Sequence, residues 1–198
     1  DTIYRIVKAV REAVPAHLPV SAKIRLGYDD KDLYLENAQA VYQAGANELA
    51  VHARTKREGY KAPAHWEYVD AIRRALPIPV TANGEIWDHQ DALTCASVSG
   101  CDALMVGRGA ISLPNLANVM KTGCAHMSWA QVLQLMVNYT EQDLASEKAD
   151  YYPSRIKQWF SYLKREYPQA DLLFRDIRLF KETDPIREAL LQATKTVI

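Results

Sequence analysis

Between residues 1 and 111 short apolar runs of strand length alternate with stretches of helical periodicity, and glycines mark the changes. Residues 20–25, 47–52, 78–82 and 102–106 read as strands; residues 2–14, 33–44, 66–76 and 88–97 read as helices. Ile3, Ile6, Val7, Val10 and Val14 recur at the spacing of one helix face. Gly27 ends the first strand, while Gly45 and Gly100 close two helices. Strands and helices alternating at this spacing imply parallel βαβ units. Eight such units close a barrel and four are present, so the chain is expected to be part of a barrel or an open doubly wound sheet.

From about residue 127 the strand-like runs stop. Residues 129–144, 154–166, 169–180 and 185–194 read as helices, with Pro153, Pro168 and Pro185 at their starts, where proline fits best. Residues 113–127, with Pro114 and Gly123, read as a joint. The expected organisation is an α/β domain over 1–112, the joint over 113–127, and a small all-helical domain over 128–198.

Nearly half of the 198 residues are apolar, so a substantial core is possible. Formal net charge is zero, which leaves local basic patches but excludes attraction of nucleic acid by the whole molecule. Cys95, Cys101 and Cys124 are odd in number and lack metal-ligand spacing, so no metal is expected. Cys95 and Cys101 read as buried structural thiols of a reducing, cytoplasmic setting. No apolar run approaches the roughly 20 residues of a membrane span. The chain starts inside a helix, and the expectation is that an N-terminal part is missing.

Two loops carry the strongest chemical signal. Asn83-Gly84-Glu85 follows the third strand and Gly107-Arg108-Gly109 follows the fourth. Glycine after a strand is usually only a turn. Two such loops in successive units, each read as opening into a helix, suit a cofactor phosphate at the last two βα loops of a barrel. Arg108 adds a fixed charge with fork geometry. Lys23 and Arg25 stand two apart on a strand and share a face, where they read either as a salt bridge or as ligands of an anion. His52 ends its strand, with Arg54 two residues on; alone it reads as a structural histidine as readily as a flavin or phosphate donor. His17, His65, His89 and His126 fall in loops or at helix ends and carry no functional expectation.

Residues 151–178 hold six basic, three acidic and seven aromatic side chains. Basic residues interleaved with aromatics suit RNA, through phosphate pairing and base stacking. The competing reading has Trp159, Phe160 and Leu163 in the core and the charges on a solvated face.

Four stretches in order resemble the bacterial tRNA-dihydrouridine synthases: residues 20–27 (VSAKIRLG), 51–56 (VHARTK) with Gly59-Tyr60, 78–86 (IPVTANGEI) and 100–109 (GCDALMVGRG). Glu85 and residues 155–159 (RIKQW) are similar to the C subfamily, which acts on uridine 16. The resemblance implies the C-terminal half of an FMN-bearing TIM (β/α)₈ barrel followed by a helical tRNA-binding domain. It implies NADPH as reductant, reduction of a uridine C5–C6 bond, and a monomer when full length. Carried over by motif, Lys23, His52, Asn83, Gly84, Glu85, Gly107 and Arg108 bind FMN, and Tyr60, Arg155, Lys157 and Arg178 contact tRNA.

The family's proton donor is a cysteine in an Asn-x-x-x-Cys-Pro segment, expected before the first helix; the 198 residues contain no such segment. The chain is therefore expected to be inactive alone. Another FMN barrel oxidoreductase and a truncated RNA-binding remnant without chemistry stand as alternatives. The basic helical domain would have no task in the first, and the second would be colourless.

Overall fold

The computed structural model describes residues 2–145 and 149–196. Contacts within the chain divide it into two units, Asp1–Gly107 and Arg108–Ile198.

The first unit alternates helix and strand as α1 (Thr2–Ala13), β1 (Ser21–Arg25), α2 (Tyr34–Gln43), β2 (Glu48–His52), α3 (Trp66–Ala75), β3 (Val80–Asn83), α4 (His89–Ser99) and β4 (Ala103–Met105). The four strands are parallel and lie in chain order, β1-β2-β3-β4. A doubly wound sheet reverses its strand order partway, and this sheet does not. Leu49, Val51, Val80 and Ala82 are buried on one face of the sheet, and so are Val41 of α2 and Val69 and Ile72 of α3. The other face carries Lys23, Arg25, Ala50, His52, Thr81, Asn83, Ala103 and Met105, as the period of two requires.

Helix ends follow the local chemistry. Asp88 caps α4 by accepting from the Asp91 N–H, and Gly100 closes it in the left-handed region at φ 62°. Helix α1 forms as its periodicity predicts but buries none of its residues.

The second unit contains α5 (Arg108–Ser112), α6 (Leu116–Thr122), α7 (Trp129–Leu144), a 3₁₀ turn (Ala149–Tyr151), α8 (Tyr152–Leu163), α9 (Pro168–Ile177) and α10 (Thr183–Thr196). The stretch read as a joint thus includes a short helix, α6, ended by Gly123 at φ 66°. Ser128 and Gln131 form a reciprocal capping box at the start of α7. Val132, Leu133, Met136, Tyr152, Ile156, Phe160, Leu163, Ile177, Ile186 and Leu190 fill the core. Within it the Tyr152 hydroxyl meets Thr140 Oγ1 at 2.8 Å, so the polar atom is satisfied. No described helix is long and apolar enough to cross a membrane.

Candidate anion site and aromatic groove

Parallel register sets the site. At the C-terminal edge of the sheet Arg25 pairs with His52, His52 with Asn83 and Asn83 with Met105. One row below, Lys23 pairs with Ala50. The sequence-predicted Lys23, His52 and Asn83 therefore share one face of one sheet, and Gly84, Glu85 and Gly107 follow the C-terminal ends of its strands.

Lys23 is exposed, yet partial burial and then neighbouring Arg25 hold its ammonium below the ordinary lysine value, with Tyr60 pulling the other way. No carboxylate lies within ion-pair range of Lys23 among the described residues, which leaves out the salt-bridge reading. His52 is buried, its ring 6.0 Å from that of Tyr60. Arg25 Nη1 donates to the carbonyls of Thr55 (2.9 Å) and Gly59 (3.0 Å), and its guanidinium lies 5.4 Å from the Tyr60 ring centre. Arg25 thus braces the loop that carries Tyr60.

The Asn83-Gly84-Glu85 loop is fixed from three sides. Asn83 Nδ2 donates to Met105 O at 2.7 Å, Trp66 Nε1 donates to Gly84 O at 3.0 Å, and Trp87 Nε1 donates to Glu85 Oε1 at 2.9 Å. The second Glu85 oxygen is paired with Arg54. Gly84 has φ 120°, and a Cβ there would lie 2.9 Å from His52 Cδ2. Glycine is required at this position twice over, by backbone and by space.

Two expectations about the loops need correction. Asn83-Gly84-Glu85 does not open into a helix: α4 starts at His89, and its cap is filled by Asp88. The first-turn N–H groups are too far along the chain to belong to that loop, so its own backbone is what it offers an anion. Gly107-Arg108-Gly109 does lead into a helix, but α5 has only five residues, too few aligned peptides for much of a dipole. What remains there is the Arg108 charge, and Gly107 with open space where a Cβ would stand. The protein's own packing places no demand for glycine at 107.

The loop after β2 is held by an ionic clasp. Glu58 accepts from the Thr55 N–H at 2.6 Å, pairs with Lys31 and lies 3.1 Å from His65 Nε2. Burial pushes the Glu58 carboxyl up, but Lys31, the Thr55 N–H and His65 outweigh it and bring it down to about 2. Such a group contributes stability above its ordinary value of 4.5, and the contribution is lost as pH falls toward 2. Glu58→Gln is expected to cost about 1–2 kcal/mol at neutral pH, discounted for partial exposure, and nothing near pH 2. Urea unfolding at the two pH values measures the difference.

Cys95 and Cys101 are buried free thiols as expected. Burial pushes Cys95 up to about 12 and raises Cys101, so both stay protonated and unreactive. No group of three or more metal-ligating side chains occurs among the described residues.

In the second unit, Asp143 takes both oxygens to Arg155 Nη2, at 2.8 and 2.6 Å, which raises the Arg155 pKa further. Lys157 donates to Phe180 O. Arg178 is the exposed C-cap of α9. Phe160 and Leu163 are core, as read, but Trp159 is not. It is only half-buried, stands edge-on to Tyr139 at 5.4 Å and donates to Ile111 O at 2.9 Å. It faces a groove of about 420 Å³ lined by Tyr139, Arg155, Gln158, Trp159 and Tyr162. Helical spacing put Arg155 and Trp159 on one face; the contribution of Tyr139 from α7 required the packing of the unit.

Sequence reasoning missed the Arg54–Glu85 pair and the two tryptophans that clamp the loop. Nothing in a His-x-Arg stretch marks the arginine as buried.

The first unit is thus a parallel α/β sheet with cations, a histidine and glycines at its strand ends, and the second unit holds helices alone among the described residues. Residues 1–195 match the dihydrouridine synthase (Dus) family, and the chain belongs to that family. Among curated relatives, the tRNA-dihydrouridine(16) synthase of Shewanella oneidensis is 62% identical over 193 residues, 98% of this chain and 61% of that protein. The tRNA-dihydrouridine(16) synthases of Vibrio cholerae and Escherichia coli (strain K12) are 50% and 49% identical, each over 96% of this chain and 59% and 61% of theirs. The chain spans about three fifths of the length of the relatives it matches. The parallel sheet, with its strands in chain order, is consistent with a TIM-barrel-type domain of this family.

Proposed function

We propose that this chain is the C-terminal half of the barrel and the helical tRNA-binding domain of an FMN-dependent tRNA-dihydrouridine synthase acting on uridine 16. The observation that carries the reading is the row Arg25–His52–Asn83 at the sheet's C-terminal edge, with Lys23 below it and a glycine loop above it. These residues fit a flat, phosphate-bearing cofactor: a lysine without a carboxylate partner among the described residues, a buried histidine, and a glycine at 107 that leaves backbone open.

Lys23 and His52 would hold the flavin ring, and the backbone of Asn83, Gly84, Glu85 and Gly107 would hold its phosphate; Arg108, the first residue of the second unit, is the remaining proposed FMN ligand. The Glu85 carboxylate is taken by Arg54 and Trp87, so it shapes the loop rather than facing an anion. FMN, recharged by NADPH, would supply a hydride to the uridine C5–C6 bond. Lys23 would hold a positive charge beside the ring and so favour its reduced, negatively charged form. Cys95 and Cys101, buried and protonated, are not proton donors to a substrate, which supports the reading that neither replaces the cysteine of the Asn-x-x-x-Cys-Pro segment.

Tyr60, Arg155, Lys157 and Arg178 are the proposed tRNA contacts. The groove beside Arg155 adds Tyr139, Trp159 and Tyr162 as faces on which unpaired bases stack. The relatives' names support tRNA as substrate and uridine 16 as the position.

Titration of FMN, followed by flavin fluorescence, with filter binding of tRNA over a salt series tests the proposal. Quenching by the protein and tRNA affinity that falls steeply with salt are expected. No quenching refutes the flavin site; a flat salt response refutes tRNA. A colourless protein that binds tRNA would favour a remnant without chemistry.

Because the Lys23 ammonium is already held low, FMN affinity is expected to fall with rising pH before an ordinary lysine would deprotonate. As an ammonium Lys23 would be the stronger hydrogen-bond donor to the flavin ring, and as a neutral amine the weaker one. Lys23→Met is expected to weaken FMN about tenfold near neutral pH and to remove this alkaline limb.

A further inference from the structure

Arg54 is an expensive residue for the place it occupies. Its side chain is fully buried; Nε donates to Pro63 O at 3.1 Å, one terminal nitrogen pairs with Glu85, and Nη1 has no hydrogen-bond partner among the described residues. A guanidinium buried with one nitrogen unpaired is a poor source of stability, because desolvation costs more than one carboxylate returns. An apolar side chain would fill the same space without that cost. The charge is accounted for by what it holds.

Glu85 is the one non-glycine residue at positive φ among the described residues, 58°, and it follows Gly84 at φ 120°. A glutamate stays in the left-handed region only where its surroundings fix it. Those surroundings are Arg54 and Trp87 on its carboxylate and Trp66 on the Gly84 carbonyl. Arg54 is tied in turn to both neighbouring strands. Its N–H donates to His52 O at 2.7 Å, and its carbonyl accepts the Leu26 N–H at 3.1 Å. Through its backbone Arg54 is tied to the ends of β1 and β2, and through its side chain to the residues that follow β3.

We propose that Arg54 is a positioning residue. Through its buried pair with Glu85 it holds Gly84 and Glu85 in the left-handed turn that presents this loop's backbone to an anionic ligand, and it does not touch that ligand. The identity of the ligand rests on the flavin reading above; the role of Arg54 in the loop does not.

The test uses the whole 198-residue chain with Arg54→Met, and Glu85→Gln as a second variant should the first not fold. The Trp66 indole N–H, bonded to Gly84 O, reports the loop by NMR without any ligand. Arg54→Met is expected to move the Trp66 signal and to weaken FMN about tenfold or more. Adding Glu85→Gly removes the need to force a side chain into the left-handed region. It is expected to return the Trp66 signal and to restore FMN binding to within about threefold.

A residue that merely fills the core is not rescued by a glycine at another position. A Trp66 signal unmoved by either single variant, or unrestored by the added glycine, overturns the role of Arg54. Failure of the unaltered chain to bind FMN refutes the cofactor reading instead, and the indole signal still decides the loop.

Discussion

Gly84→Ala is expected to abolish most cofactor binding, weakening FMN about 100-fold. The new Cβ would stand 2.9 Å from His52 Cδ2 and 3.3 Å from its Nε2, in a backbone at φ 120° that L residues avoid. Relief requires His52 to move or the loop to leave its turn, and both are parts of the proposed site. The loop is clamped by Trp66, and Glu85 by Trp87 and Arg54, so little of the strain can be absorbed locally. A stability loss of about 2–3 kcal/mol is expected beside the binding loss. Gly107→Ala makes the contrast: its Cβ meets no protein atom, so stability should hold while FMN binding falls. Thermal melts and FMN titrations of both variants separate the two glycines. Equal FMN affinity in Gly107→Ala and the unaltered chain would show that no ligand approaches there.

Phe160→Ala is the second large effect. Phe160 is fully buried on α8 and stacks against Phe174 of α9 at 6.2 Å. Its removal is expected to cost about 3–4 kcal/mol. That is a large share of what holds a helical unit of this size, and tRNA affinity should fall with it. Trp159→Ala, one residue earlier, should behave oppositely. Trp159 is half-buried and lines the groove, so stability should drop by only about 1 kcal/mol while tRNA affinity falls. Calorimetry beside filter binding decides. If the two variants lose tRNA affinity only in proportion to stability, the groove is not a contact surface.

The strands and the residue types at their C-terminal ends were legible in the sequence. The parallel strands followed from apolar runs between helical periods, and Lys23 and Arg25 shared a face because strand side chains alternate. Glycine at 84 marked a special backbone, and φ 120° with a histidine behind it is that backbone. What could not be read was any fact that depends on pairing across the chain. Arg54 looks like any charged loop residue until Glu85, thirty-one positions on, is brought against it. Trp159 reads from the sequence either as core or as part of an RNA-facing surface; the neighbour that leaves it at a groove, Tyr139, lies on another helix.

The local sequence by itself determined the elements, their order, and which residue types stand at the strand ends. Periodicity, capping and glycine conformation act over a few residues, so a chain carries them wherever it folds. Only the tertiary structure decided which of those residues meet. Register put Arg25, His52 and Asn83 in one row. Packing buried Arg54 against the turn that Glu85 could not hold alone, and left the groove beside Trp159 open. Burial and long-range pairing are properties of the assembled fold, and the chemistry proposed for this chain rests on them.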